Sequence, residues 1–258
     1  MKIFDCFMYF NEEVLLDLRL NILDKYVDYF VIVESSFTHK GDKRSLQFNS
    51  KKFEKFKEKI IYLVYDNKPK DIKEILSNDN EDIKSEKYIS NSILQENEQR
   101  NFILNGLKDA NEEDLILISD VDEIPNLEKL EINKINQKII MFSQEMFYYK
   151  FNLKLPNFFW TGTRACKKKY LKSPQWLRNQ KVKEYSFFHF YKIKWNIIKN
   201  GGWHFSFLMQ PTEIIKKIKS FAHDEFNKKE FLEINEIEKK IKLGEDLFNR
   251  DQKYIKVE

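Results

Sequence analysis

Short β-branched runs alternate with stretches of helical periodicity through the first half of this chain, and that alternation limits the folds open to it more than any other feature. Ile3 to Tyr9 is apolar with high β tendency; Glu12 to Tyr26 follows, with Val14, Leu15, Leu18, Ile22 and Leu23 recurring at helical spacing. Tyr29 to Val33 and Ile60 to Val64 repeat the strand type, and Leu115-Ile116-Leu117-Ile118 adds a fourth run. Strands separated by helices predict an α/β architecture, with a Rossmann-like, mainly parallel central sheet flanked by helices. With 258 residues, 42% of them hydrophobic, the chain can bury one large core, so a single domain over 1–258 is the expectation.

Later segments are read in the same way. Asp66 to Lys87 is polar and carries Pro69, which predicts a mobile connection and a candidate lid. Tyr88 to Leu107 reads as a helix, Ile139 to Phe151 and Tyr185 to Trp195 as aromatic-rich strands, and Pro211 to Phe221 and Glu230 to Phe248 as helices. Basic and acidic residues nearly balance, 45 against 41, so charge gives no ground for a nucleic-acid partner and allows at most peripheral contact with a membrane. Cys6 and Cys166 lack metal-type spacing and read as reduced thiols. No signal-peptide core or membrane-length apolar run is visible. The expected location is cytoplasmic, including the inner face of the membrane.

The chemistry concentrates where the aliphatic run Leu115–Ile118 ends in Ser119-Asp120-Val121-Asp122-Glu123-Ile124-Pro125. Pro125 cannot donate to a ladder, and carboxylates just beyond a buried parallel strand stand where open α/β sheets place ligands. Asp120 and Asp122 on an extended chain can converge with a diphosphate on one hard cation, Mn²⁺ or Mg²⁺. A solvated turn is the alternative for any such triplet. Gly201-Gly202-Trp203-His204-Phe205-Ser206 offers paired glycines for close backbone approach and His204 as a further metal ligand, or as a hydrogen-bonded core histidine. His189 reads as core and His39 as a loop residue. Near a helix end, Asp224-Glu225 supplies carboxylates able to take a proton from an attacking hydroxyl, unless it is simply a solvated terminus. Glu225 is the first candidate base, with Asp224 and Glu145 behind it. Trp160 and Trp203 are the aromatics chosen as faces on which an acceptor sugar stacks.

Several blocks in one order then resemble glycosyltransferase family 17. They are Asp5-Cys6-Phe7-Met8-Tyr9-Phe10-Asn11-Glu12, Leu15-Leu16-Asp17-Leu18-Arg19-Leu20, Val27 through Thr38, Ser119 through Pro125, and Gly202-Trp203-His204-Phe205-Ser206. The resemblance implies a GT-A-type fold, a UDP-sugar donor, a divalent cation and transfer with inversion, the sugar being N-acetylglucosamine or a related hexose and the acceptor a glycan, soluble or lipid-linked. By position it makes Asp120 and Asp122 the metal and nucleotide motif, Asp122 being the direct ligand, and matches His204 to the family's Gly-Trp-His element. It places Glu34 at the nucleoside and Arg100 at donor phosphate or uridine. Residues 1–125 then form the nucleotide-sugar half and 126–258 the acceptor half. Two rivals remain: a metal-dependent nucleotidyl- or phosphotransferase, against which the lack of a phosphate-cradling glycine motif counts, and a non-catalytic carbohydrate-binding protein. A glycosidase is disfavoured because the carboxylates are bunched rather than flanking a bond.

Overall fold

The computed structural model describes residues 1–131, 135, 137–181, 195–220 and 233–258. The first half follows the alternation: β1 (Ile3–Tyr9), α1 (Glu13–Leu23), β2 (Tyr29–Ser35), β3 (Ile60–Tyr65), α2 (Glu81–Asn101) and β4 (Leu115–Asp120). β3, β2, β1 and β4 lie side by side and pair in parallel, with Cys6 facing Val31 on one neighbour and Ile118 on the other. The apolar runs of β1, β2 and β4 are continuous because both faces are covered, while β3 at the edge is only partly buried. Phe7, Phe30, Ile32 and Leu117 pack under Leu15, Leu16, Leu20 and Leu23 of α1. Phe4, Cys6, Val31, Val33, Ile116 and Ile118 turn the other way, onto Ile103 and Leu107.

Beyond β4 the rule changes. β5 (Glu123–Pro125), β6 (Ile139–Tyr148), β7 (Leu153–Lys167), α3 (Pro174–Arg178), β8 (Trp195–Ile198), β9 (Gly202–Ser206), α4 (Pro211–Ser220), α5 (Ile234–Leu243) and β10 (Ile255–Lys256) follow in order. β7 runs antiparallel to β4 and β6, β9 runs parallel to β6, and β5 pairs antiparallel with β9. The architecture is therefore mixed α/β: the parallel sheet that the sequence predicts runs through β3, β2, β1 and β4, and beyond β4 parallel and antiparallel neighbours mix. α4 and α5 cover the second half, Ile214, Ile218 and Ile237 packing against Met146, Tyr148, Leu155 and Tyr254.

Several boundaries also move. α2 starts at Glu81 rather than Tyr88, because Asn80 caps it by accepting from the Ile83 amide at 2.8 Å. Within the segment read as a mobile connection, Pro69 is buried and the Asn91 side chain bonds both the N–H and the carbonyl of Lys73, each at 2.8 Å. The strand expected over Tyr185 to Trp195 and its His189 lie outside the described residues except for Trp195, which opens β8. Among the described residues no helix is long and apolar enough to cross a membrane.

Candidate active site

A cleft of about 380 Å³ opens at the carboxyl ends of β1, β2 and β4. Asp120 and Asp122 lie in its wall with His204 from β9, Lys217 from α4, Arg100 and Gln99 from α2, and Glu12 at the start of α1. Phe10, Phe37, Ile89 and Ile93 give it an apolar side. The parallel half thus supplies the carboxylates, and the mixed half brings an imidazole and an amine to face them.

The two aspartates have different surroundings. Asp120 Oδ1 accepts from Arg100 Nη2 at 3.1 Å and Oδ2 from Arg178 Nη2 at 2.7 Å, while its carboxylate stays 37% exposed to the cleft. Burial alone would raise its pKa, but Arg178 and Arg100 outweigh burial and hold it far below the ordinary carboxylate range. Each oxygen keeps a further lone pair, and the exposed part of the carboxylate faces the cleft, so Asp120 can meet a cation while both guanidiniums stay in place. Asp122 faces His204, with Oδ2 3.5 Å from Nε2. Burial raises the Asp122 carboxyl, and His204 and Lys217 more than offset it, so its pKa is lowered. For His204 burial works downward, and the facing Asp122 carboxylate reverses the sign, so the imidazole is held above its usual value.

A 3.5 Å gap between Oδ2 and Nε2 lets both atoms reach one cation at ligand distances near 2.1 Å. Asp122 and His204 therefore fit a divalent ion as a pair, with the other positions left to substrate oxygens and water. Among the described residues no cluster of three or more metal-ligating side chains forms. His204 Nδ1 is buried and has no hydrogen-bond partner among them.

Glu123, the third acid of the motif, is wholly buried and structural. Its Oε1 accepts from Trp160 Nε1 and Arg178 Nη2, each at 2.6 Å; its Oε2 accepts from Arg178 Nη1 at 2.7 Å and the Asp120 amide at 3.0 Å. Arg178, which the sequence did not single out, thereby ties the end of α3 to Asp120 and Glu123 together. Arg100 is nearly buried and also binds Glu96 at 2.7 Å and Gln175. Its Nε has no partner among the described residues.

The other sequence-predicted residues scatter. Glu34 is turned inward: its carboxylate accepts from the Gln47 and Phe48 amides at 2.7 and 3.0 Å and from Tyr62 Oη at 2.9 Å, and it pairs with Arg44 at 3.0 Å. From that segment it is Ser35 and Arg44 that border the cleft. His39, read as a loop residue, also lines the cleft. Glu145 is paired with Lys154 at 2.5 Å on the strands behind the site. Trp160 is 37% exposed and its ring centroid lies 5.7 Å from that of His204, whereas Trp203 packs against the large core cluster. Asp224 and Glu225 lie outside the described residues. The glycine pair serves the sheet and not a ligand. Gly202 has φ +126°, and a Cβ there would stand 2.1 Å from the Ile124 carbonyl oxygen, so glycine is what lets β9 close onto β5 and bring His204 beside Asp122.

Carboxylates beyond a parallel strand, at the mouth of a cleft in an α/β sheet, define a ligand-binding α/β protein. The chain belongs to glycosyltransferase family 17, whose model matches residues 1–252. It is similar to the human protein named β-1,4-mannosyl-glycoprotein 4-β-N-acetylglucosaminyltransferase, 24% identical over 246 residues, which cover 84% of this chain and 42% of the human one. The rat protein of the same name matches to the same extent. The chain thus spans less than half the length of these relatives.

Proposed function

We propose that residues 1–258 act as one GT-A-like catalytic unit that transfers a sugar, N-acetylglucosamine or a related hexose, from a UDP-sugar to a glycan acceptor with inversion. Family membership supports glycosyl transfer, and the names of the human and rat relatives favour N-acetylglucosamine. The observation that carries the site assignment is the Asp122–His204 pair facing a cleft with one apolar side and several cationic groups. In this reading Phe10, Phe37, Ile89 and Ile93 receive the base of the donor, and Arg100 and Lys217 stand near its diphosphate. Asp122 and His204 would hold Mn²⁺ or Mg²⁺, which supplies charge neutralisation to the departing diphosphate.

The reaction is a single displacement. An acceptor hydroxyl oxygen bonds to the anomeric carbon, the bond from that carbon to the diphosphate oxygen breaks, and the hydroxyl proton passes to a carboxylate. Glu225 is the first candidate for that base, with Asp224 next. Glu145 ranks last, because Lys154 must release it first. Trp160, exposed and beside His204, is the acceptor-stacking face. In this reading the glycan is soluble or lipid-linked and is met at the cytoplasmic side of a membrane.

UDP release by the purified protein, assayed over a panel of UDP-sugars with and without Mn²⁺, tests the reaction. Asp122→Ala should lower cation-dependent turnover by two to three orders of magnitude, in line with loss of ~3–4 kcal/mol of transition-state stabilisation. Full cation-dependent turnover in that variant would remove Asp122 from the site. Glu225→Gln should reduce transfer while leaving donor affinity in place.

A further inference from the structure

Arg19 comes from the middle of α1 and is fully buried, against the usual placement of arginine. Its partner is Asp5 of β1, also fully buried, whose two oxygens accept from Nε at 2.7 Å and Nη2 at 2.5 Å. A buried ion pair needs further hydrogen bonds to offset desolvation of both charges, and these go to one place. Nη2 donates to Ser119 Oγ at 2.5 Å, while Nη1 points at the carbonyl oxygens of Asp120, Val121 and Glu123 at 3.1, 3.3 and 2.8 Å. These carbonyls belong to the turn that joins β4 to β5. Without the guanidinium the Asp120 and Val121 carbonyls lose this donor, and the Glu123 carbonyl keeps the Thr163 hydroxyl, which donates to it at 3.1 Å.

The turn is gripped from the opposite side as well. The Phe205 amide of β9 donates to the Asp122 carbonyl at 2.9 Å. With its backbone held by Arg19 beneath and by β9 alongside, the turn directs the Asp122 side chain to within 3.5 Å of His204. We propose that Arg19 is a positioning residue for glycosyl transfer: it holds the backbone of Asp120 to Glu123 in the one curvature that presents Asp122 to the donor. The kinetic part of this inference rests on Asp122 serving the donor, as proposed above. Lysine cannot replace arginine here, because one ammonium with three donors cannot meet a bidentate carboxylate, a hydroxyl and three carbonyls.

Arg19→Lys keeps the charge opposite Asp5, so it separates positioning from simple charge balance. Peptide-resolved hydrogen exchange on the full chain should show amides of residues 119–124 exchanging at least about tenfold faster, with β2 and β3 at wild-type rates. UDP release should fall about 10- to 100-fold in kcat with a smaller change in donor KM. Combined with Asp122→Asn, the variant should lose nothing further, because both changes disable the same group. Wild-type exchange at 119–124, acceleration spread evenly over all strands, or a loss that multiplies with that of Asp122→Asn would each overturn the proposal. If Arg19→Lys does not fold, Ser119→Ala removes one of the acceptors and should show a smaller acceleration confined to the same peptide; no acceleration there counts against the inference. A wild-type protein that releases no UDP from any donor would sink the proposed reaction, and the exchange measurement would still decide whether Arg19 sets the turn.

Discussion

On one side of the β4–β7 seam the strands run parallel and β1, β2 and β4 are buried on both faces; on the other, parallel and antiparallel neighbours mix, and β7 leaves Phe158, Phe159 and Trp160 in the open. Polar groups follow the same division. The parallel side holds Asp5, Arg19 and Glu34, each fully buried, in hydrogen-bonded ion pairs. The mixed side has register shifts along β6 and β7, between Met141 and Ser143 and between Glu145 and Phe147. Under the function proposed above, the rigid half would take the donor diphosphate, with its single charge pattern, and the irregular strands with exposed rings would take acceptors of differing shape. Substitutions at five residues test whether the two halves differ in this way.

Arg178 joins the halves by bonding Asp120 at the end of β4, Glu123 of β5 and the Gly162 carbonyl of β7, and its loss should have the largest effect. Arg178→Met leaves Glu123 buried without its cation and removes one of the two guanidiniums on Asp120. Stripping one partner from a buried ion pair costs about 3–5 kcal/mol, readable as a fall in the urea midpoint at unchanged slope. A midpoint within error of wild type would mean that the halves do not depend on this clamp.

Gly202→Ala comes next. Its Cβ would strike the backbone of β5 at a φ of +126°, so β9 must withdraw from β5. The expected cost is about 1–3 kcal/mol, with the near-ultraviolet circular dichroism of nearby Trp203 altered. An unperturbed spectrum would show that β9 closes on β5 without needing glycine.

The two tryptophans chosen from the sequence should then diverge. Trp160→Ala should raise acceptor KM about tenfold and leave donor KM alone, as removal of a stacking face worth about 1–1.5 kcal/mol requires. Trp160→Phe, which keeps a flat face and loses only the N–H donated to Glu123, should recover most of that. Trp203→Ala should instead lower the melting temperature, since that ring packs into the core. A shared phenotype would erase the distinction between them.

That divergence shows what the sequence carries. Runs such as Tyr29–Val33 and Leu115–Ile118 announce themselves because strands buried on both faces must be apolar at every position, and the parallel side was legible for that reason. The acidic motif after β4 was legible as well, by composition and position. Arg19 was not, because one arginine among leucines on an amphipathic helix reads as its solvent face until the Asp5 beneath it is known. Trp160 and Trp203 were indistinguishable, since exposure depends on the mixed pairing of β6, β7 and β9, which no local pattern encodes. The roles of Glu34 and Glu123 were also hidden. A carboxylate that binds ligand and one that satisfies buried amides and guanidiniums look alike until their donors are placed.

The smallest effect belongs to the rim of the seam, where Glu113, just before β4, accepts from Lys167 at 2.9 Å and from Lys169 beyond the end of β7. Hydrogen bonds from Lys167 and then Lys169 lower its pKa to about 2 from the ordinary 4.5. A depressed carboxylate contributes stability that is fully present above the unfolded-state value and disappears as the pH falls through the folded one. The contribution should therefore be complete above about pH 5 and fade between 4.5 and about 2. Because the group is solvent-exposed, the effect is small and salt-screened. Melts of wild type and Glu113→Gln should differ slightly at pH 6 in low salt, converge as the pH drops below 4, and coincide at pH 6 in 0.5 M salt, a concentration at which the Debye length falls to about 4 Å. A difference that persists in salt would mean that the direct hydrogen bonds from Lys167 and Lys169 hold Glu113 against screening, and the rim would then be built like the buried half and not like a surface.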